Sequence, residues 1–124
     1  MNTENNHISL VIGASENPQR YANMAIRSLL KNGKHVVAIG NKEGEVQGVT
    51  IHKGMTKFEN IHTITLYINP RIQREYYDYI LDLHPKRIIF NPGTENPELE
   101  ELAKMHEIET LEACTLVLLS LQQY

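Results

Sequence analysis

The chain has 124 residues, 41% of them apolar, and a formal charge of −3. That is enough for one buried core and too apolar for a disordered chain. Acids and bases are mixed along it with no basic run, which argues against a nucleic-acid partner.

The start, MNTENNHISL, is polar and lacks the basic and apolar regions of a signal peptide. Ile8-Ser9-Leu10-Val11-Ile12 reads as a buried strand, ended by Gly13. Residues 18–32 read as a helix with Tyr21, Ala25, Ser28 and Leu29 on one face and a stop at Asn32-Gly33. The run His35-Val36-Val37-Ala38-Ile39 is the second strand. Residues 40–56 are rich in Gly and polar residues, with a short strand near Val49-Thr50-Ile51. Ile64-Thr65-Leu66-Tyr67-Ile68 is another strand, and residues 70–83 form one helix through Ile72, Tyr76, Tyr79, Ile80 and Leu83. Arg87-Ile88-Ile89-Phe90 is a strand, residues 97–106 a helix with Leu99, Leu102 and Ala103 inward, and Glu109-Thr110-Leu111 a short strand. Thr115 to Gln122 closes the chain as a helix. Strand-helix alternation with continuous apolar strands indicates a doubly wound parallel sheet. The fold class is Rossmann-like, three-layer α/β/α, in one domain over residues 1–124.

No apolar run approaches the roughly 20 residues of a membrane span, so no membrane contact is expected. Cys114 is the lone cysteine, so no intrachain disulfide forms and a cytoplasmic setting is expected.

Two loops echo each other, GASENPQ from Gly13 and PGTENPE from Pro92. Asn-Pro recurs at Asn17-Pro18, Asn69-Pro70 and Asn96-Pro97, each time before an expected helix. Asn is a strong N-cap and Pro suits the first helical position, so these are helix starts. In a parallel sheet such starts share the carboxyl edge, where free N–H groups suit phosphate. Gly13-Ala14-Ser15 and Pro92-Gly93-Thr94 would flank one pocket, though the full GxGxxG pattern is absent. The second strand lacks the terminal acid of an NAD site and offers Lys42, which suits the extra phosphate of coenzyme A or of NADP.

With these motifs the chain resembles the small single-domain coenzyme A-binding proteins, whose fold also forms a domain of the succinyl-CoA synthetase alpha subunit. The resemblance rests on VIGAS from Val11, on Lys42, on INP from Ile68, on FNPGTENPELEELA from Phe90 and on EAC from Glu112. It implies that Gly13, Ala14, Ser15 and Glu16 meet the pyrophosphate and Lys42 the phosphorylated ribose. It places Ile68, Asn69 and Pro70 on the nucleotide side and Asn91, Pro92 and Gly93 along the pantetheine. The chain departs from many members at Ile39-Gly40-Asn41, Tyr67-Ile68-Asn69 and Asn91-Pro92.

The resemblance implies binding of coenzyme A or an acyl-CoA without catalysis, because the synthetases react through a second domain. The alternative is an NADP- or NAD-binding oxidoreductase or redox sensor; a ligand-free signalling domain is a third reading. The small-molecule nucleotide is the expected partner, and a protein partner or homo-oligomer is compatible with it. No catalytic residue and no metal site are expected: the six histidines, His7, His35, His52, His62, His84 and His106, read as surface or edge residues. Glu98, Glu100 and Glu101 read as solvated acids of a first helical turn. Cys114 reads as a small buried residue, with a mixed disulfide to the coenzyme's thiol as the functional alternative.

Overall fold

In the computed structural model, which describes residues 7–124, the apolar runs become strands of one sheet. Residues 1–6, and the expectation about targeting that falls on them, lie outside the described residues. The strands are β1 (Ile8–Ile12), β2 (His35–Gly40), β3 (Gly44–Val46), β4 (Val49–Lys53), β5 (Ile61–Leu66), β6 (Arg87–Phe90) and β7 (Glu109–Glu112). Their spatial order is β3-β4-β2-β1-β5-β6-β7. Every neighbouring pair is parallel except β3 with β4. The chain runs outward from β1 through β2 and β4, then crosses back to β5 on the other side of β1. The winding therefore reverses between β1 and β5, the place where sheets of this kind open a crevice.

Alternation along the strands divides the core in two. Leu10 and Ile12 face one layer, with Ile64, Leu66, Ile88 and Phe90 and with α3 (Tyr77–Asp82) and α4 (Pro97–Met105). Val11 and Ala38 face the other, with Ala22, Ile26 and Leu29 of α1 (Tyr21–Lys31) and Leu119 of α5 (Thr115–Ser120). The result is the expected three-layer, Rossmann-like α/β/α fold, mostly parallel. No helix among the described residues is long and apolar enough to cross a membrane.

Three local expectations are corrected. The first helix starts at Tyr21, not Pro18, because residues 17–20 form a turn in which Arg20 N–H reaches the Asn17 carbonyl at 3.0 Å. Asn17 Oδ1 caps that turn, accepting from Gln19 N–H at 2.9 Å, and not the helix. The inward face of α1 is consequently Ala22, Asn23, Ala25, Ile26 and Leu29, while Tyr21 is 69% exposed. Residues 70–83 are not one helix but α2 (Pro70–Gln73), a 3₁₀ turn (Arg74–Tyr76) and α3. The buried member of α2 is Gln73, and Ile72 faces out. The short strand expected near Val49-Thr50-Ile51 is present as β4, and it pairs with β3 in an antiparallel hairpin whose two-residue turn, Gln47-Gly48, has positive φ at both positions, the geometry that suits a right-twisted ribbon.

Candidate nucleotide-binding cleft

A cleft of about 820 Å³ opens at the carboxyl edge beside the winding reversal. Residues 13–17, 20–22, 41–43, 67–69, 72 and 92–94 line it. Nine of the residues singled out from sequence meet here: Gly13, Ala14, Ser15, Glu16, Lys42, Ile68, Asn69, Pro92 and Gly93. Pro70 and Asn91 do not line it. Pro70 opens α2 behind the Asn69 cap. Asn91 is 2% exposed, and its amide donates to Thr65 Oγ1 and the Leu66 carbonyl while its oxygen accepts from Thr115 N–H. It ties the ends of β5, β6 and α5 together beneath the cleft floor.

The loop after β1 owes its shape to its neighbours. Gly13 has φ +97°, and a Cβ there would meet the Tyr67 carbonyl oxygen at 2.8 Å. The glycine is thus required by the adjacent chain, independently of any ligand. The N–H groups of Gly13 and Ala14 both donate to the Ile39 carbonyl, at 3.0 and 2.9 Å, so neither is free. Beyond them the chain is pinned to α1. Asn23, 3% exposed, donates to the Ser15 carbonyl at 2.9 Å and accepts from Arg27 Nε at 2.8 Å, and Arg27 Nη2 reaches the Pro18 carbonyl at 3.0 Å.

The helix starts at this edge are not equivalent. Asn69 caps α2 by accepting from Ile72 N–H, and Asn96 caps α4 by accepting from Glu98 and Leu99 N–H. At α1 the N-cap residue, Arg20, contributes no side-chain cap. Its first turn therefore keeps N–H groups without a side-chain acceptor, at a place where Arg20, Tyr21 and Ala22 line the cleft. The echoed loops thus differ: GASENP leads to an open helix start and GTENP to a sealed one. Gly93 N–H is itself taken by Glu95 Oε1 at 2.9 Å.

Charge in the cleft comes from Arg20 and Lys42 against Glu16 and Glu43. Glu16 Oε2 accepts from Glu45 N–H at 2.9 Å, so the carboxylate fastens the β3–β4 hairpin beside the loop that carries Lys42. Gly44 leaves room for it, since a Cβ there would meet Glu16 Cδ at 2.5 Å. The opposite wall is knit by Gln73, which is fully buried. Its amide donates to the Ile68 and Thr94 carbonyls at 2.8 Å each, and its oxygen accepts from Asn96 Nδ2 at 2.8 Å. Exposed Tyr21 and Ile72 supply apolar surface within the cleft.

Arg20, Tyr21, Asn23, Ile72 and Gln73 were not legible as site or support residues. Starting the helix at Pro18 turned Tyr21 inward, and an apolar stripe drawn through Ile72 hid a buried glutamine beside it. Cys114 is half-buried at the start of α5 and is not among the cleft-lining residues. Burial, together with the neighbouring Glu112 and Glu95 carboxylates, raises the Glu100 pKa. Burial likewise pushes the Tyr67 hydroxyl, which lies near the buried Thr65 and Thr115 side chains, up to about 12. Among the described residues no three His, Cys, Asp or Glu side chains gather to hold a metal.

Fold and cleft define a class: a Rossmann-like α/β protein with a nucleotide-sized crevice at its winding reversal. The family is narrower. Residues 8–120 match the family described as CoA binding domain, and the chain belongs to that family. A solved structure described only as an uncharacterized protein is 46% identical, covers 95% of this chain and 98% of its own, and superposes with a TM-score of 0.92. A hypothetical protein from Pyrococcus horikoshii OT3 is 26% identical over 93% of this chain and 82% of its own, with a TM-score of 0.80. The acetyl-coenzyme A synthetase 1 of Ca. Korarchaeum cryptofilum, solved with phosphate and ADP, shares the fold at 21% identity and a TM-score of 0.71. There the match covers 89% of this chain and 26% of that one. No curated protein matches the chain.

Proposed function

We propose that this chain is a single, non-catalytic domain that holds coenzyme A, free or acylated, in the carboxyl-edge cleft. The observation that carries the reading is the family match over residues 8–120, to which the cleft adds a place for the ligand. The pyrophosphate sits against Ser15 and the uncapped start of α1, where the helix dipole and Arg20 favour negative charge. Gly13 and Ala14 shape that loop, and Glu16 fixes the hairpin next to it. Lys42 faces the phosphorylated ribose. Ile68, Asn69 and exposed Ile72 form the nucleotide side, with Pro70 behind them. Pro92 and Gly93 run along the pantetheine, with Asn91 holding their loop from below. The cleft residues supply charge, N–H groups and apolar surface, the means of binding. A lone cysteine supports a cytoplasmic setting.

The test is calorimetric titration of the purified chain with coenzyme A, NADP and NAD under one buffer. Coenzyme A should bind most tightly. Tighter binding of NADP, or no binding of coenzyme A, would overturn the reading in favour of a dinucleotide domain or of a domain with another ligand.

A further inference from the structure

The amino edge of the sheet, opposite the cleft, carries a second concavity that coenzyme binding does not use. Its volume is about 200 Å³, and it is lined by His7, Ser9, Lys34, His62, Thr63, Arg87 and Tyr124. Sequence reading left its two histidines apart, fifty-five positions from each other in the chain. The parallel pairing of β1 with β5 brings them together, and their rings stack with centroids 4.1 Å apart.

The polar atoms around this space are organised. Arg87 Nε donates to Thr63 Oγ1 at 2.9 Å, and the same hydroxyl lies 2.8 Å from His62 Nδ1. Ser9 Oγ and the Tyr124 hydroxyl are 2.6 Å apart. Lys34 Nζ and Arg87 Cζ lie over the Tyr124 ring, 5.9 and 4.7 Å from its centroid. Ser9 and Thr63 are 3% and 1% exposed, so the base of the space is fixed by buried side chains.

The side-chain charge here is one-sided. Lys34, Arg87 and two imidazoles line the space, and no Asp or Glu side chain among the described residues does. Lys86 stands next to Arg87, and the acid nearest in register is Glu109, the cross-strand partner of Arg87. Cations gathered in a partly desolvated space repel one another unless an anion sits among them. The effect shows on His62: burial first, then His7, Arg87 and Lys86, hold its pKa below the usual imidazole value, with Glu109 acting the other way. Arg87 uses Nε for its bond to Thr63 and also reaches the Tyr124 hydroxyl, which leaves part of its Nη fork, a donor set matched to oxyanions, for a ligand.

We propose that this amino-edge pocket binds a small dianionic oxyanion, of the phosphate or sulfate type, between Lys34, the Arg87 guanidinium and the His62 imidazole. A dianion answers the two permanent cations, and an approaching imidazolium strengthens its hold. The volume admits a free ion or the phosphoryl end of a small ester. The site is independent of the coenzyme cleft, since it uses none of the cleft's residues.

An NMR titration of amide and imidazole signals with inorganic phosphate, sulfate and glycerol phosphate tests it. Saturable shifts are expected at Ser9, His62, Thr63 and Arg87, with none from chloride at matched ionic strength. Lys34→Gln and Arg87→Gln should each weaken binding roughly tenfold or more, the usual loss for a charged hydrogen bond. Lys34→Gln guards against a folding artefact, because Arg87 also braces Thr63 and Lys34 does not. Sulfate keeps its charge while His62 gains one, so its binding should tighten as pH falls through and below the ordinary imidazole value of 6.5. Binding by either phosphate probe at this edge supports the site, and the tighter of the two names its source. Shifts confined to the carboxyl-edge loops, equal shifts with chloride, or undiminished affinity in both variants would overturn it.

Discussion

Asn96 is expected to cost more than an ordinary helix cap when removed. Its oxygen accepts from Glu98 and Leu99 N–H at 3.1 and 3.3 Å. Its amide donates to Gln73 Oε1 at 2.8 Å and to the Tyr77 hydroxyl at 2.9 Å. Asn96→Ala removes the cap, a loss of about 1 kcal/mol. It also strands Gln73 Oε1, which is fully buried, at a further cost of about 1–3 kcal/mol. Gln73 cannot recover by flipping its amide, because its nitrogen already serves the Ile68 and Thr94 carbonyls. The total is about 2–4 kcal/mol. Asn96→Asp keeps a capping oxygen, lacks the donor and turns a second oxygen toward Gln73 Oε1, so its loss should be at least the Gln73 share. Urea melts with an unchanged slope would read both variants as stability differences. A loss of only about 1 kcal/mol for Asn96→Ala, with none for Asn96→Asp, would refute the buried network and leave a plain cap.

Further expectations concern the loop after β1, Tyr67 and Cys114. Gly13→Ala forces a side chain to φ +97° and against the Tyr67 carbonyl, so urea midpoints should show a loss of at least about 1 kcal/mol without any ligand; an unchanged midpoint would free Gly13 of its structural role. Tyr67 is held protonated up to about 12, so the unfolded chain gives up this proton first. Its contribution is complete below the ordinary value of 10.0 and falls away as pH rises toward about 12, by about 3 kcal/mol. Tyr67→Phe should therefore lose less stability than wild type between neutral pH and about pH 11, and equal losses would contradict the assignment. Diamide oxidation with coenzyme A should leave Cys114 unmodified in the folded chain and label it after denaturation, as intact mass would show; rapid adduct formation on folded protein would put the thiol in reach of the ligand.

The parallel core was legible because its signal is apolar and local. β1 at Ile8–Ile12 and β6 at Arg87–Phe90 fall where the Ile- and Leu-rich runs predict, each ended by a loop with glycine or proline. Two of the three Asn-Pro helix starts hold for the same reason, since a cap acts within one turn. What escaped was set by polar atoms meeting across the chain. Asn23, Gln73 and Asn91 are buried among loops, and nothing in hydrophobic periodicity separates them from surface amides. The turn at residues 17–20 escaped because Asn-Pro begins a turn as readily as a helix, and that one-turn shift concealed Arg20 and Tyr21. The pairing of His7 with His62 depends on sheet order, which no local pattern encodes.

The central claim is that the cleft holds the phosphorylated ribose of coenzyme A beside Lys42. Coenzyme A and dephospho-coenzyme A differ only in that phosphate, so their titration against wild type and Lys42→Ala is the most direct test. A charged hydrogen bond of roughly 1.5–3 kcal/mol predicts about ten- to a hundredfold tighter binding of coenzyme A by wild type. Lys42 is exposed, so added salt should narrow that gap. Lys42→Ala should erase most of it while leaving dephospho-coenzyme A almost unaffected. Equal affinity of wild type for the two ligands, or a gap that survives in Lys42→Ala, would contradict the account.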